Sequence, residues 1–203
     1  GPSYLADRIK EPSDSALCRL IGVDLFSTDT PESNLCRRKE SFAQRVGSEA
    51  PPLIIALNFC LPWGNFALYW AAPDERNDVL QQFLDSDDDA YRDARLKLIP
   101  RVVEGNWLVR RAVGPGSKAA KLAETIELKY ARGAGYLEVS ADLCGSATAR
   151  RILSVVRSGT SGLVLDLALV VEGTTEAELP ERVLGAARLH RVDPDLAEPL
   201  PVC

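Results

Sequence analysis

Apolar and polar residues alternate along this chain with two periods, and most of the chain has the period of strands. Apolar runs predict strands at residues 17–26 and 106–113 and, nearer the C-terminus, at residues 163–171 and 187–192. Each run is short and is bounded by Gly, Pro or polar residues, as strands commonly are. The pattern therefore predicts a protein built mainly of short strands.

Two further pairs of runs are expected to form hairpins. Apolar runs at residues 53–61 and 66–72 flank the connection Pro62-Trp63-Gly64-Asn65, whose composition is typical of a turn. Residues 124–130 and 136–143 alternate between apolar and polar side chains, which predicts a second hairpin with one buried face. Both hairpins imply antiparallel pairing.

A helical period is found in two segments. Asn77 is a good N-cap residue, and the apolar spacing behind it predicts a helix over residues 77–85. Ser146 can cap a second helix, in which apolar residues recur on one stripe. The members of this stripe are Ala149, Ile152, Leu153 and Val156. A shorter helix is predicted around residues 36–46.

The segment after residue 171 carries two conflicting signals. Thr175 and Glu178 have the spacing of a capping box, but a helix that began there would hold Pro180 at an interior position and lose a backbone donor. We therefore predict a short helix that begins at Pro180 and ends near Gly185.

The order of these elements predicts an α+β fold. We expect a single domain in which a few helices pack on a curved, mainly antiparallel sheet, because strands cluster and pair locally. Residues 1–15 are interpreted as an N-terminal arm, whose Gly1-Pro2 resembles the scar of a cleaved tag. Residues 16–193 form the domain, and residues 194–203 form a Pro-rich tail.

Composition excludes several classes of protein. The 203 residues are 46% hydrophobic, which is enough for one core and argues against disorder. The net charge is −5, unlike that of a basic nucleic-acid-binding domain, so no nucleic-acid partner is expected. The longest apolar run, residues 163–171, is half as long as a membrane-spanning helix.

Residues suited to catalysis are scarce. His190 is the single histidine, and the five cysteines include no C-x-x-C pair, so neither a metal site nor a cofactor is expected. The odd number of cysteines predicts reduced thiols in an intracellular protein. No acid–base pair or activated nucleophile can be identified, and we expect that the protein is not an enzyme.

Aromatic and basic residues point to binding. Trp63 lies in a turn, where an indole suits a boundary between apolar and wet surroundings. Basic residues of segment 95–121 and of the second helix could meet anionic lipid head groups, each contributing about 1 kcal/mol. The alternative is a solvated face whose charges pair with neighbouring carboxylates. The candidate membrane or anion surface comprises Trp63, Arg111, Lys118, Lys121, Arg150 and Arg151.

One segment resembles a known family. Residues 95–107, RLKLIPRVVEGNW, resemble the F-K-L-I-P-x-I-V-E-G-x-W segment in the C-terminal domain of the plant enhanced disease resistance two family. Residues 146–150 are similar to its S-S-x-A-R motif, and residues 178–185 are similar to its E-L-P-E-x-x-x-G motif. The similarity extends from about residue 3 to residue 193. It departs at Cys144-Gly145, where the family usually has Ile-Gly.

The resemblance implies a context rather than a reaction. Members of this family often carry the domain after a pleckstrin-homology domain and a START lipid-transfer domain. They are linked with restraint of defence-related cell death, with mitochondria and with endomembranes. The resemblance implies no catalytic residues, and it implies an intracellular location, in the cytoplasm or peripheral to endomembranes and organelles.

Two functions are compatible with these observations. The first is a non-enzymatic domain that binds a lipid or other apolar ligand in a membrane-associated regulatory context, because a curved sheet crossed by helices can enclose an apolar cavity. The expected wall residues are Phe66, Leu68, Trp70 and Trp107, with Arg110 or Arg111 near a polar mouth. The alternative is a protein-interaction or regulatory module with a packed core and no cavity.

Overall fold

The computed structural model describes residues 1–114 and 119–201, and the elements named below lie within them. The strands are β1 (Arg19–Ser27), β2 (Ile54–Leu61), β3 (Gly64–Ala71), β4 (Leu96–Glu104), β5 (Ala120–Lys121), β6 (Glu127–Gly133), β7 (Tyr136–Asp142), β8 (Val164–Val171), β9 (Val183–His190) and β10 (Glu198–Pro199). The α-helices are α1 (Tyr4–Asp7), α2 (Phe42–Arg45), α3 (Asp78–Asp85), α4 (Asp89–Asp93), α5 (Trp107–Val113) and α6 (Ala147–Ser158).

The strands form two sheets. The larger sheet has the order β10-β1-β3-β2-β7-β6, and the smaller has the order β5-β4-β8-β9. Pairing is antiparallel except between β1 and β10 and between β2 and β7, where it is parallel. The α+β class is confirmed, with the strands divided between two sheets rather than gathered in one.

The larger sheet is covered on both faces. On the face toward the smaller sheet, alternate residues such as Leu57, Phe59, Phe66 and Leu68 form the main core. The opposite face packs under residues 28–50, where a second apolar cluster is centred on fully buried side chains. Strands β2, β3 and β7 are consequently buried along nearly their whole length.

The hairpin between β2 and β3 is confirmed, and its loop is two residues long. Leu61 pairs with Gly64 on the far side of this loop. Gly64 has a φ of 155°, and a Cβ at this position would lie 1.8 Å from the carbonyl oxygen of Phe26. Only glycine allows β1 and the start of β3 to approach so closely.

Both predicted helices with a clear apolar stripe are present. The Asn77 side chain accepts a hydrogen bond from the Leu80 backbone N–H at 2.9 Å, and α3 follows. The Ser146 hydroxyl accepts one from the Ala149 N–H at 3.2 Å, and α6 follows. Each cap satisfies a backbone donor that has no partner within its helix.

The prediction of a strand at residues 106–113 is wrong. The Asn106 side chain accepts a hydrogen bond from the Val109 N–H at 2.9 Å and starts helix α5. Val109 is buried whereas Trp107 is 67% exposed, so one side of the helix packs on the protein. The sequence showed no helical period here, because Trp107 and Leu108 on the exposed side of the helix are as apolar as Val109 on the buried side.

The prediction of a helix at Pro180 is also wrong. Thr175 and Glu178 form the capping box that their spacing suggests, but they close a single 3-10 turn, Glu176–Glu178. This turn ends before Pro180, so the proline never occupies a helical position. Strand β9 then begins at Val183, earlier than predicted.

Residues beyond the predicted domain boundary also pack on the larger sheet. Strand β10 pairs in parallel with the end of β1, where Phe26 lies opposite Glu198. The Leu200 N–H donates to the Ser27 carbonyl at 2.9 Å, and the Leu200 side chain is buried in the second apolar cluster. Separately, none of the helices in the described residues is both long and apolar enough to cross a bilayer.

Candidate functional site

An apolar cavity lies between the two sheets, at the end where the β2–β3 hairpin turns. Its volume is about 310 Å³, which falls at the lower end of the range for small-molecule sites, roughly 300–1,000 Å³. At the other end of the same core, α3 and the Trp70 ring fill the space between the layers. The cavity is therefore confined to one end of the core.

The walls of the cavity come from four parts of the fold. The larger sheet contributes Leu25, Phe59, Leu61 and Phe66, and the smaller sheet contributes Leu98, Pro100, Leu165, Leu167 and Leu189. Helices α5 and α6 contribute Val113, Ile152, Leu153, Val156 and Arg157. Connecting segments contribute Trp63, Leu143, Thr160, Leu163, Val192 and Pro194.

Local sequence patterns explain why these side chains converge. Alternate residues of each strand point to the same face, so Phe59 and Phe66 lie opposite each other in register and stack with ring centroids 6.3 Å apart. In α6, the stripe that includes Ile152, Leu153 and Val156 faces the cavity. The stripe was predicted from the sequence, but the residues that it would meet were not.

Trp63 and Arg157 stand at the edge of the cavity and are called the mouth pair below. The guanidinium carbon of Arg157 lies 4.5 Å from the centroid of the Trp63 ring. Both residues also line a shallow surface depression with Pro62, Arg150 and other residues of α6. The mouth pair therefore separates the apolar interior from solvent.

The polar groups of the cavity are few. Among the described lining residues, Arg157 is the one that carries a charge. Thr160 also lines the cavity, and its hydroxyl donates to the Arg157 backbone carbonyl at 3.3 Å. The indole N–H of Trp63 is buried and has no hydrogen-bond partner in the described residues, which costs about 1–3 kcal/mol.

The predicted wall residues are placed in different ways. Phe66 lines the cavity. Leu68 and Trp70 are on the same face of β3 but farther from the turn, and neither is among the described lining residues. The Trp70 indole N–H donates to the Ala186 carbonyl at 3.2 Å, and its ring lies so close to Gly185 that a Cβ there would be 2.9 Å away.

The other two predicted wall residues belong to α5, outside the cavity lining. Trp107 is exposed to solvent. Arg110 donates to the backbone carbonyls of Val102, Val103 and Gly105 at 3.0–3.2 Å and so covers the end of β4. Its guanidinium is thus engaged with backbone, and the cation at the mouth of the cavity is Arg157.

The predicted surface residues are not gathered into one patch. Lys118 lies outside the described residues. Lys121 pairs with Glu172 at 2.8 Å, while Arg150 donates to the Cys144 carbonyl. Arg111 and Arg151 are exposed on α5 and α6, and Trp63 belongs to the mouth pair. The mouth therefore combines Trp63, a predicted surface residue, with Arg157, a basic residue of the second helix that was not among the predicted site residues.

The basic residues form two groups that differ in their partners. Those near β4 pair with carboxylates: Arg95 with Glu178 at 3.0 Å, and Lys97 with Glu181 at 2.9 Å. No carboxylate lies within ion-pair distance of the arginines of α5 and α6 in the described part of the chain. The interpretation as a face whose charges pair with carboxylates thus holds for the group near β4, and the arginines of α5 and α6 have no such partner among the described residues.

The thiols with described surroundings are poor nucleophiles. Burial raises the pKa of Cys18 and of Cys60 to about 12, and it also raises the pKa of Cys36 and Cys144. A thiol with such a pKa contains little thiolate at neutral pH. In residues 1–114 and 119–201, no three His, Cys, Asp or Glu side chains are grouped so that they could hold a metal ion.

A buried polar cluster lies on the opposite face of the larger sheet and is called the Glu138 network below. The Glu138 carboxylate accepts hydrogen bonds from the Leu35 N–H at 2.9 Å, the Cys36 N–H at 2.6 Å, the Asn58 amide at 2.9 Å and the Ser140 hydroxyl at 2.6 Å. The alternation in β7 predicted only one buried face, and Glu138 lies on the other face. The segment at residues 28–50 covers it.

Comparison with known proteins identifies relatives of this fold. The sequence profile of the family described as "Protein ENHANCED DISEASE RESISTANCE 2, C-terminal" matches residues 1–193. A protein of Arabidopsis thaliana named "Protein ENHANCED DISEASE RESISTANCE 2-like" is 34% identical over 197 residues, which are 95% of this chain and 27% of that protein. The chain thus spans about a quarter of this curated relative. No solved structure gives a significant match. The resemblance noted in the sequence is confirmed, and the chain belongs to the family of ENHANCED DISEASE RESISTANCE 2 C-terminal domains.

Proposed function

We propose that this domain binds an apolar small molecule or a lipid tail in the cavity between the sheets and does not catalyse a reaction on it. The observation that carries the proposal is the cavity of about 310 Å³ with almost wholly apolar walls. Specific small-molecule sites combine such walls with a few placed polar groups. Here the mouth pair supplies those groups.

The size of the cavity supports a binding function. Protein interiors are close-packed, and voids larger than a water molecule are few in each domain. Apolar walls that face a void lose dispersion contacts, which a guest of matching shape would restore. A packed interaction module would gain nothing from leaving this end of the core open.

The chemistry of the walls supports binding without catalysis. General acid–base catalysis requires a titratable group that can reach the reacting atom. The described lining residues include no His, Asp, Glu, Lys, Cys or Tyr, the side chains that usually act as general acids or bases. The walls therefore suit retention of a ligand.

A membrane-associated regulatory context is part of the proposal. Trp107 and Leu108 are exposed side by side on α5, and Arg111 lies one turn beyond Trp107. Exposed aromatic and basic residues together suit the interface of an anionic membrane. The name of the Arabidopsis relative refers to disease resistance, and we extend a regulatory role in defence to this chain on that similarity.

Titration with the neutral fluorophore N-phenyl-1-naphthylamine tests the proposal. We expect saturable binding at one site and a rise in fluorescence as the probe leaves water. In the double variant L153F/L165F, two rings would enter the cavity, one from α6 and one from β8, and we expect affinity to fall at least about tenfold. L196F, the same change at an exposed position, is the matched control and should bind as the wild type does.

A second measurement makes the test independent of the probe. Native mass spectrometry of protein purified from cells should show a co-purifying apolar molecule that is lost in L153F/L165F. If the wild-type protein binds no probe and carries no added mass, the cavity has no ligand. The packed interaction module would then be the better description.

A further inference from the structure

The position of Arg157 narrows the class of ligand, on the assumption that the cavity binds one as proposed above. We infer that the ligand is an amphipath whose apolar tail fills the cavity and whose anionic head, a carboxylate or a phosphate monoester, lies at the mouth pair. The inference concerns the head group, which an apolar cavity alone does not specify.

The first argument is geometric. Arg157 lines both the apolar cavity and the surface depression, so a molecule that extends from one to the other passes this side chain. Its guanidinium is stacked on the ring of Trp63 at 4.5 Å and is therefore held at the boundary instead of extending freely into solvent. A stacked guanidinium keeps N–H donors at its rim, which are suited to the oxygens of an anion.

The second argument is electrostatic. Residues 146–162 contain Arg150, Arg151 and Arg157 but neither Asp nor Glu, although the whole chain has a net charge of −5. No carboxylate in the described residues pairs with Arg157, whereas Lys97 and Lys121 both pair with Glu172. The depression beside the mouth thus has a positive charge with no anionic partner in the part of the chain that the structure describes.

The composition of the walls disfavours other ligand classes. A nucleotide or a sugar would bury many polar groups against leucines, with Thr160 and the mouth pair as the polar residues near them. A cationic amphipath would place its head against Arg157, where like charges repel. A neutral alcohol could enter the cavity but would make no ionic interaction with Arg157 at the mouth.

A series of ligands with one tail and different heads tests the inference. Dodecanol, dodecanoate, dodecyl phosphate and dodecyltrimethylammonium are added below their micelle concentrations, and displacement of N-phenyl-1-naphthylamine is followed at low salt and about pH 8, where carboxylates are ionised. We expect at least one of the two anions to bind about tenfold more tightly than dodecanol. The cationic compound should bind more weakly than dodecanol. The ratio between dodecanoate and dodecyl phosphate identifies the preferred anion.

Variants of the mouth separate charge from shape. R157Q should reduce the preference for the anion to within about twofold while leaving the affinity for dodecanol nearly unchanged. R157K, which keeps the charge, should retain most of the preference. R132Q, which changes an exposed arginine of β6 outside the cavity lining, is the control and should keep the full preference.

The outcomes are distinguishable. If dodecanol binds to the wild-type protein as tightly as both anions, or if R157Q keeps the preference, the head-group inference is wrong and the cavity proposal stands. If neither the fluorophore nor any member of the series binds, both proposals are wrong. A thermal melt of each variant shows whether a lost signal reflects unfolding.

Discussion

The two faces of the larger sheet are held by different kinds of interaction. Toward the smaller sheet the contacts are apolar, and they leave a cavity of about 310 Å³ beside Phe66. On the opposite face the Glu138 carboxylate accepts four hydrogen bonds from backbone and side chains that are themselves buried. One face thus has unfilled space, and the other has a charged group whose acceptor sites are well occupied.

The two faces are therefore suited to different tasks: one holds chain segments in a fixed position, and the other can accommodate a ligand. Hydrogen bonds are directional, so the Glu138 network fixes residues 28–50 against β2 and β7 in one arrangement. Apolar contacts are not directional and depend mainly on the area removed from water. A face held by apolar contacts can therefore accept a guest while the network keeps the strands behind it in place.

The largest effect is expected from removing the carboxylate of the network. E138A would leave the Leu35 and Cys36 N–H groups and the Asn58 amide without their buried acceptor. We expect the free energy of unfolding, measured by urea denaturation, to fall by about 3–5 kcal/mol. E127A is the matched control, because Glu127 is exposed and pairs only with Lys129 at 3.6 Å in the described structure; its effect should be within about 0.5 kcal/mol.

A loss below about 1 kcal/mol in E138A would contradict this description of the polar face, since burying unsatisfied donors costs more than that. It would mean that the Glu138 network does not hold residues 28–50 on the sheet.

An intermediate effect on the free energy of unfolding is expected when a leucine is replaced by the larger phenylalanine, once in a close-packed part of the core and once beside the cavity. Leu57 is fully buried and does not line the cavity, whereas Leu165 does. L57F should lower the free energy of unfolding by about 1–3 kcal/mol, because a close-packed site must distort. L165F should change it by less than about 1 kcal/mol, because its ring can occupy empty space. Equal losses in urea denaturation would show that the cavity cannot take up added volume.

The smallest effect concerns a carboxylate that belongs to neither face. Asp166 lies on the outer side of β8, where Arg188 at 2.6 Å, with Arg101, lowers its pKa to about 2. A pKa depressed on folding adds stability above the unfolded pKa, near 3.8, and this stability is lost as the pH falls toward 2. At neutral pH we expect the free energy of unfolding of the wild type to be higher than that of D166N by about 1 kcal/mol or less. The difference is small because both arginines are half-exposed.

The difference between wild type and D166N should shrink between about pH 4 and pH 2, as followed by urea denaturation across that range. A difference that stays constant with pH would exclude the ion pairs as its source. In that case Asp166 would affect stability by some means other than its charge, and its comparison with the buried Glu138 would no longer be one of exposure alone.

Local patterns in the sequence were sufficient to predict much of the fold. The caps at Asn77 and Ser146, and the turn at residues 62–65, each depend on a few adjacent residues, and all three are confirmed. The helix after Asn106 was missed because a short apolar run without a clear period is compatible with either a strand or a short helix. The division into two sheets depends on pairings between distant segments, which no local pattern specifies.

The candidate site shows the same limit. Phe66, Leu68 and Trp70 were predicted to be walls of a cavity, and all three lie on the face of β3 that packs in the main core. The position of the cavity along that face was not predictable, because Trp70 is four residues farther from the turn, or about 13 Å along a strand. Whether the core is filled around Trp70 depends on α3 and Gly185, which come from remote parts of the chain.

The pairing of β10 with β1 has a practical consequence for fragments of this protein. The family profile ends at residue 193, yet Glu198 and Pro199 occupy the outer edge of β1, and Leu200 fills a place beneath residues 28–50. A fragment cut at residue 193 would uncover backbone donors and acceptors along that edge, and such exposed edges invite strands of other molecules to add. Expression boundaries for this domain therefore belong after Pro201, beyond the end that sequence similarity alone would mark.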